Sequence, residues 1–432
     1  MKISRRRSTA AAALAGATAL TLIATGCAST GDADPAGSGN DGEITLTLAT
    51  FNDFGYTDEL LAQYEDENPG VTIVHNKAAT SNDARDNFFT KLGAGSGLAD
   101  VEAVEIDWFA EMMQYSDLLA DLSDPEVADR WVDWKTAAAT DADGRLVAYG
   151  TDIGPEAVCY RSDLFAAAGL PTDRDEVAAL LEGDWDRYYE VGQQYVDATG
   201  QAWFDSAGAT YQGMINQVEF AYEQEDGSVI ATENDEVKGI YEQVLEASAT
   251  QSAHLGQWSD DWFAGLANGA FATMLCPGWM LGVISGNAPD VTGWDVADVF
   301  PGGGGNWGGS FLTVPAQSEH PEEAQALAAW LTAPEQQIKA FQAKGTFPSQ
   351  VDALGSDELL AQTNAFFNDA PTGEILANRA DAVTVAPFKG PNYFAIHLAV
   401  SDAIVRVDAN GTDDAATSWD KAVTAYGQLG LG

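Results

Sequence analysis

Positive charge is scarce in this chain. Its 432 residues hold 20 Lys and Arg against 66 Asp and Glu, for a formal net charge of −46. No basic stripe remains to neutralise a phosphate backbone, which excludes nucleic-acid binding as a main activity. The same balance argues against electrostatic adhesion to anionic lipid. The acidic residues are scattered among Ala, Gly and Thr, a pattern of a solvated, self-repelling surface. Histidine is scarce as well: His75, His254, His320 and His397 lie far apart, and the three cysteines form no CxxC pair. Neither a metal site nor a cofactor is expected on that basis. A nucleophile elbow, an HExxH helix and a phosphate loop are all missing. Asp141-Ala142-Asp143-Gly144 and Asp408-Ala409-Asn410-Gly411 carry part of a calcium loop's chemistry without its spacing or terminal glutamate, and read as turns.

Long hydrophobic runs are missing too. The stretch Thr18 to Cys27 is too short, and too rich in Ala, Thr and Gly, for a membrane-spanning helix. Lys2, Arg5, Arg6 and Arg7 precede it, and it ends Leu22-Ile23-Ala24-Thr25-Gly26-Cys27. Charge, apolar run, small residues and cysteine in that order read as a lipoprotein signal peptide over 1–26, with Cys27 as the lipid attachment point. The export route, general secretory or twin-arginine, stays open. Residues 28–42 are mostly Gly, Ser, Asp, Ala and Asn with one Pro, so that 27–42 reads as a flexible tether. The expected location is therefore extracellular, on the outer face of the cytoplasmic membrane, held there by lipid. Two cysteines remain, Cys159 and Cys276, each in an apolar strand-like run; the sequence leaves open whether they are bridged or simply buried.

From Glu43 onward, strand and helix signals alternate. Ile44, Leu46 and Leu48 give period-two spacing, and Thr57-Asp58-Glu59 offers an N-cap with an acidic first turn. Asn68-Pro69-Gly70 ends that helix. Val71–Val74 and Val101–Ile106 predict further strands, with a helix over 82–92 between them. This order implies a parallel sheet with crossover helices, whose ligand crevice lies beyond the strand ends. Asn52 and Asp53, then Asp107 and Trp108, then Asp152 after the Leu146–Tyr149 strand, all fall at such ends.

Three segments carry a resemblance. Gly144-Arg145-Leu146-Val147-Ala148-Tyr149, then Ala157-Val158-Cys159-Tyr160-Arg161-Ser162-Asp163-Leu164-Phe165 and Ala168-Gly169-Leu170-Pro171, resemble a stretch of the extracellular solute-binding proteins of sugar ABC importers. Gly269 to Trp279 resembles that family's strand and turn, whose Trp tends to lie under the bound sugar. Pro301 to Pro315, with four consecutive glycines, resembles its return crossing. The resemblance covers most of the chain in order. It implies an α/β, two-lobed, periplasmic-binding-protein-like (type II) fold. Each lobe would be a mainly parallel sheet flanked by helices, with three hinge crossings near Gly150–Pro155, Gly302–Gly308 and Gly345–Pro348. The boundaries it implies are 43–151 plus 307–346 for lobe 1 and 152–306 plus 347–432 for lobe 2.

The same resemblance implies a monomeric receptor that closes on a neutral oligosaccharide and delivers it to ABC permease membrane subunits. Pyranoses offer apolar faces and rims of hydroxyls, so a site needs aromatic platforms beside hydrogen-bonding side chains. Trp108, Trp279, Trp307 and Tyr393 can supply the first; Asn52, Asp53, Asp107, Asp152, Glu156, Ser310 and Asn392 the second, with Gly309 allowing close approach. Trp131, Trp134, Trp330 and Trp419 read as packing. Phe51–Tyr56, Asp152–Glu156 and Leu275–Trp279 together look most like receptors for cello- or xylo-oligosaccharides. The rival class is a secreted glycosidase using two carboxylates, for which the abundance of acids makes pairs uninformative.

Overall fold

Strand β1 (Ile44–Phe51) buries Leu46 and Leu48 fully while Thr45 and Thr47 point outward, the alternation its spacing predicts. The computed structural model describes residues 43–52 and 54–430. The signal peptide, the tether, Cys27 and Asp53 lie outside the described residues. Thr57 caps the helix Asp58–Glu67 by accepting from the Leu60 amide at 3.2 Å. Chain then passes through β2 (Val71–Ala78), the helix Ser81–Ala94 and β3 (Val101–Glu105).

β1 pairs in parallel with both β2 and β3. β4 (Ala148–Gly150) completes this first sheet through β10 (Ser310–Thr313), which runs antiparallel to β3 and β4. The resulting order is β2-β1-β3-β10-β4. A second sheet contains β6 (Glu156–Arg161), β7 (Ala202–Phe204), β8 (Phe271–Pro277) and β9 (Trp294–Ala297) in the order β7-β8-β6-β9. There only β7 and β8 are parallel. Both sheets are thus mixed rather than mainly parallel. The reason is that β10 and β6 each enter their sheet from the other half of the molecule, not from a right-handed crossover helix.

Strand β6 is buried along its whole length. Ala157 and Cys159 face one apolar cluster while Val158 and Tyr160 face another, so a continuous apolar run replaces alternation. Cys159 and Cys276 form a disulfide, with Cα atoms 5.5 Å apart. The Asp141–Gly144 segment is a turn: Asp141 Oδ1 accepts the amides of Asp143 and Arg145 at 3.0 and 2.9 Å.

Three strands of chain run side by side between the sheets. β5 (Asp152–Ile153) pairs antiparallel with β11 (Phe347–Pro348). On from it, Pro155 bridges Asn306, and the Trp307 amide donates to Gly154 O at 2.8 Å. Gly154 is fixed by this crossing: a Cβ there would sit 1.7 Å from Trp307 O.

Candidate functional site

The turn after β8 and the Gly-rich return segment bring two indoles together. Trp279 and Trp307 are half-buried, their rings edge to face at 5.4 Å, and Trp279 Nε1 donates to Trp307 O at 3.0 Å. A Cβ on Gly308 would lie 3.2 Å from that same nitrogen and 3.9 Å from Glu105 Oε1. The indole pair therefore borders the end of β3. Behind Trp279 lies Trp258, stacked at 6.0 Å and 23°. Trp258 holds φ of 68°, a conformation that bulky residues rarely adopt.

At the end of β3, Glu105 caps the helix Ile106–Met113, accepting the Asp107 amide at 2.9 Å. Burial, then the Asp107 charge, push the Glu105 carboxyl well above the usual range. Asp107 itself makes an ion pair with Lys389, whose ammonium also lies 4.9 Å from the Tyr393 ring centroid. Glu156 is fully buried and burial holds its carboxyl well above the ordinary value, with Lys389 opposing. Neither Glu156 oxygen has a hydrogen-bond partner, nor does the buried Tyr393 hydroxyl. Tyr393 stacks on His397 at 5.6 Å and 5°, and burial pulls His397 down to about 4.

Other expected residues take different places. Trp108 is fully buried against Phe88 and Phe89, its indole N–H donating to Ser81 Oγ at 3.0 Å. It starts a helix on its apolar face, so it packs the first-sheet core and is no open platform. Asp152 is turned into the crossing: its Oδ1 accepts the Ser310 amide at 3.0 Å and the Thr151 hydroxyl at 2.8 Å. Ser310 O accepts from buried Lys135, and Gly309 O accepts the Ile106 amide at 3.0 Å. Asp152, Gly309 and Ser310 thus tie the crossing to the first sheet. Asn52 sits at the β1 end with φ of 50°, its amide donating to Ala78 O at 3.1 Å. Asn392 is occupied by Glu223, to which its side chain donates at 2.8 Å.

Glu105, Lys135, Glu223, Trp258 and Lys389 carried no reading in the sequence. Lys389 had a faint signal: a rare cation between Pro387 and Pro391, just before two residues already singled out. Among the described residues, no cluster of three or more His, Cys, Asp or Glu is placed to hold a metal ion.

Two sheets joined by three adjacent crossings, with aromatic and carboxyl side chains gathered where the halves meet, define a two-lobed ligand-binding protein. The description "Bacterial extracellular solute-binding protein" matches residues 59–368, and the chain belongs to this family. A crystal structure of an extracellular solute-binding protein of family 1 is 48% identical, covers 89% of this chain and 99% of its own, and superposes with a TM-score of 0.78. The arabinooligosaccharide-binding protein of Bacillus subtilis (strain 168) is 26% identical over 84% of this chain and 86% of its own. The ABC transporter associated binding protein from B. animalis subsp. lactis Bl-04, in complex with β-1,6-galactobiose, shares the fold at 20% identity. Its TM-score is 0.75 over 90% of this chain and 98% of that one.

Proposed function

We propose that this chain is the substrate-binding component of an ABC-type carbohydrate importer. It captures a neutral oligosaccharide between its lobes and delivers it to the permease without cleaving it. The observation that carries this reading is the half-buried Trp279–Trp307 pair beside Glu105, a buried carboxyl that burial pushes well above the usual range. Flat indoles take the apolar faces of a sugar, and carboxyl oxygens accept from its hydroxyls. An arginine cluster of the kind that pairs anionic sugars does not border these groups among the described residues, which favours an uncharged ligand.

The names of the relatives favour arabino- or galacto-oligosaccharides over the cello- and xylo-oligosaccharides suggested by the sequence resemblance. The binding site is taken to include Asp107, Glu156, Trp279, Trp307, Asn392 and Tyr393, with Asn52 at the first-lobe rim and Asp53, the next residue in sequence, as a further contact. Lobes bounded at 43–151 plus 307–346 and 152–306 plus 347–432 close about the crossings, and the closed form is the one the permease recognises. Lipid on Cys27 holds the receptor at the outer face of the cytoplasmic membrane. No described helix is long and apolar enough to cross a membrane. Calorimetric titration of the full chain with arabino-, galacto-, xylo-, cello- and malto-oligosaccharides, with product analysis of the same samples, tests the reading. Tight binding of one class without new products is expected; turnover selects the glycosidase instead. Retention at the membrane after Cys27→Ser would remove the anchor.

A further inference from the structure

A set of buried polar atoms in the second lobe finds no partner within the protein. Both oxygens of Glu156, the Tyr393 hydroxyl, Gln212 Nε2 and both amide atoms of Asn216 are in this state. Their residues are 0%, 1%, 5% and 1% exposed, in that order. Interiors pair the great majority of such atoms, so each exception needs a cause.

These side chains come from adjoining elements. Gln212 and Asn216 are four residues apart on the helix Ala207–Ile215 and its C-cap, and so share one stripe. Gly213 lies beside that stripe and against Glu156: a Cβ there would be 3.5 Å from Glu156 Oε1. Tyr393 packs on Tyr222, whose hydroxyl lies 2.8 Å from that of Tyr211 on the same helix. Neighbouring Glu223, by contrast, is engaged by Asn392. A single ion cannot match the set, since it mixes donors (Gln212, Asn216, Tyr393) with acceptors (Asn216, Tyr393, Glu156). A ring of hydroxyls matches it.

We propose that Gln212 and Asn216 join Glu156 and Tyr393 to read the hydroxyls of the sugar ring seated deepest against the second lobe. This rests on the receptor function proposed above and extends it to two residues without any earlier role. Groups kept for a ligand burden the empty protein, whereas groups that hold the fold support it.

The test is Asn216→Leu and Gln212→Leu, each in the full chain, read in two ways. The ligand-free melting temperature is expected to rise by about 2 °C or more, as an orphaned polar group is removed. Affinity for whichever of arabino-oligosaccharide, β-1,6-galactobiose or maltose the unaltered protein binds is expected to fall tenfold or more. A lower melting temperature with unchanged affinity overturns the proposal. Should none of these sugars bind the unaltered protein, the choice of sugar fails, and the melting temperature alone decides: a rise supports the proposal and a fall overturns it. Should the leucine variants fold poorly, Gln212→Met and Asn216→Ala replace them. A tenfold loss of affinity at an unchanged melting temperature then supports the proposal, and unchanged affinity overturns it.

Discussion

The indole N–H of Trp279 donates to the backbone carbonyl of Trp307, 28 residues away, at 3.0 Å. One platform is thereby braced on the chain segment that carries the other. Trp279→Ala removes both an aromatic face and the brace, while Trp307→Ala leaves the carbonyl in place. Each should weaken oligosaccharide binding by roughly 1–3 kcal/mol. Trp279→Ala should also lower the melting temperature, because Trp258 loses the ring it stacks on. Titration calorimetry and thermal unfolding on the two variants check this. Unchanged affinity in both would leave the indoles as packing.

The Trp307 carbonyl also faces Gly154, where a Cβ would come within 1.7 Å of it. Backbone on both sides cannot yield as a flexible side chain does. Gly154→Ala must push the middle and return crossings apart, at a cost of about 1–3 kcal/mol or more. Ligand-induced compaction, followed by small-angle scattering with a sugar of proven affinity, should shrink or vanish. A variant that compacts and melts like the unaltered protein would show that the crossings move freely at this point.

Much of the architecture was written locally. Thr57 before Asp58-Glu59 and the Ile44-Leu46-Leu48 alternation each announce their structure within a few residues, and Gly-flanked turns mark Trp279 and Trp307 as residues outside the regular elements. The remainder depends on contacts between distant parts of the chain. Trp108 occupies a strand-end position, but whether it faces the crevice or the core is decided by Phe88, Phe89 and Ser81 from another helix. Asp152 fits the same pattern yet spends its carboxyl on Ser310, 158 residues onward. The antiparallel entry of β10 follows from a return crossing that no local period encodes. Gln212 and Asn216 sit in an ordinary-looking helix, and only their missing partners single them out.

Asp107 and Lys389 are joined across a sequence separation of 282. Asp107 belongs to the helix after β3. Lys389 leads into the helix Tyr393–Val407, whose buried face joins the second-sheet core. Removing one partner of so buried a pair leaves the other uncompensated, a loss of about 3–5 kcal/mol in fully buried cases and less here, where Asp107 keeps some exposure. Lys389→Met should therefore destabilise more than the double variant Lys389→Met, Asp107→Leu. A double-mutant cycle by denaturant unfolding measures the coupling. Additive effects would mean that the pair is solvated and adds little.

The disulfide closes a loop with a sequence separation of 117 between strands that are already paired. Constraining a loop of that size restricts the unfolded chain by about 4–5 kcal/mol in the entropic account. Reduction, or Cys159→Ala with Cys276→Ala, should lower the melting temperature clearly while leaving sugar affinity near its original value, since both cysteines face an apolar cluster away from Glu156. Unfolding and titration in parallel, with and without reductant, separate the two effects.

Burial raises Glu102 to about 7 and Asp205 to about 6, above the range these groups have in the unfolded chain. Between the ordinary carboxylate range and those values the folded protein holds protons that the unfolded one has released. Stability contributed by these groups therefore falls as pH rises through that window, by about 3–4 kcal/mol at most for Glu102. Lys135 has the opposite sign. Burial lowers it to about 7, so above that pH the unfolded chain binds a proton that the folded one does not, and stability recovers toward the ordinary lysine range. The expected profile dips near neutrality. Glu102→Gln should flatten its acid side and Lys135→Met its alkaline side. Denaturant midpoints from pH 4 to 9.5 record both, and a profile that Glu102→Gln leaves unchanged would show that its carboxyl reaches water in the folded state.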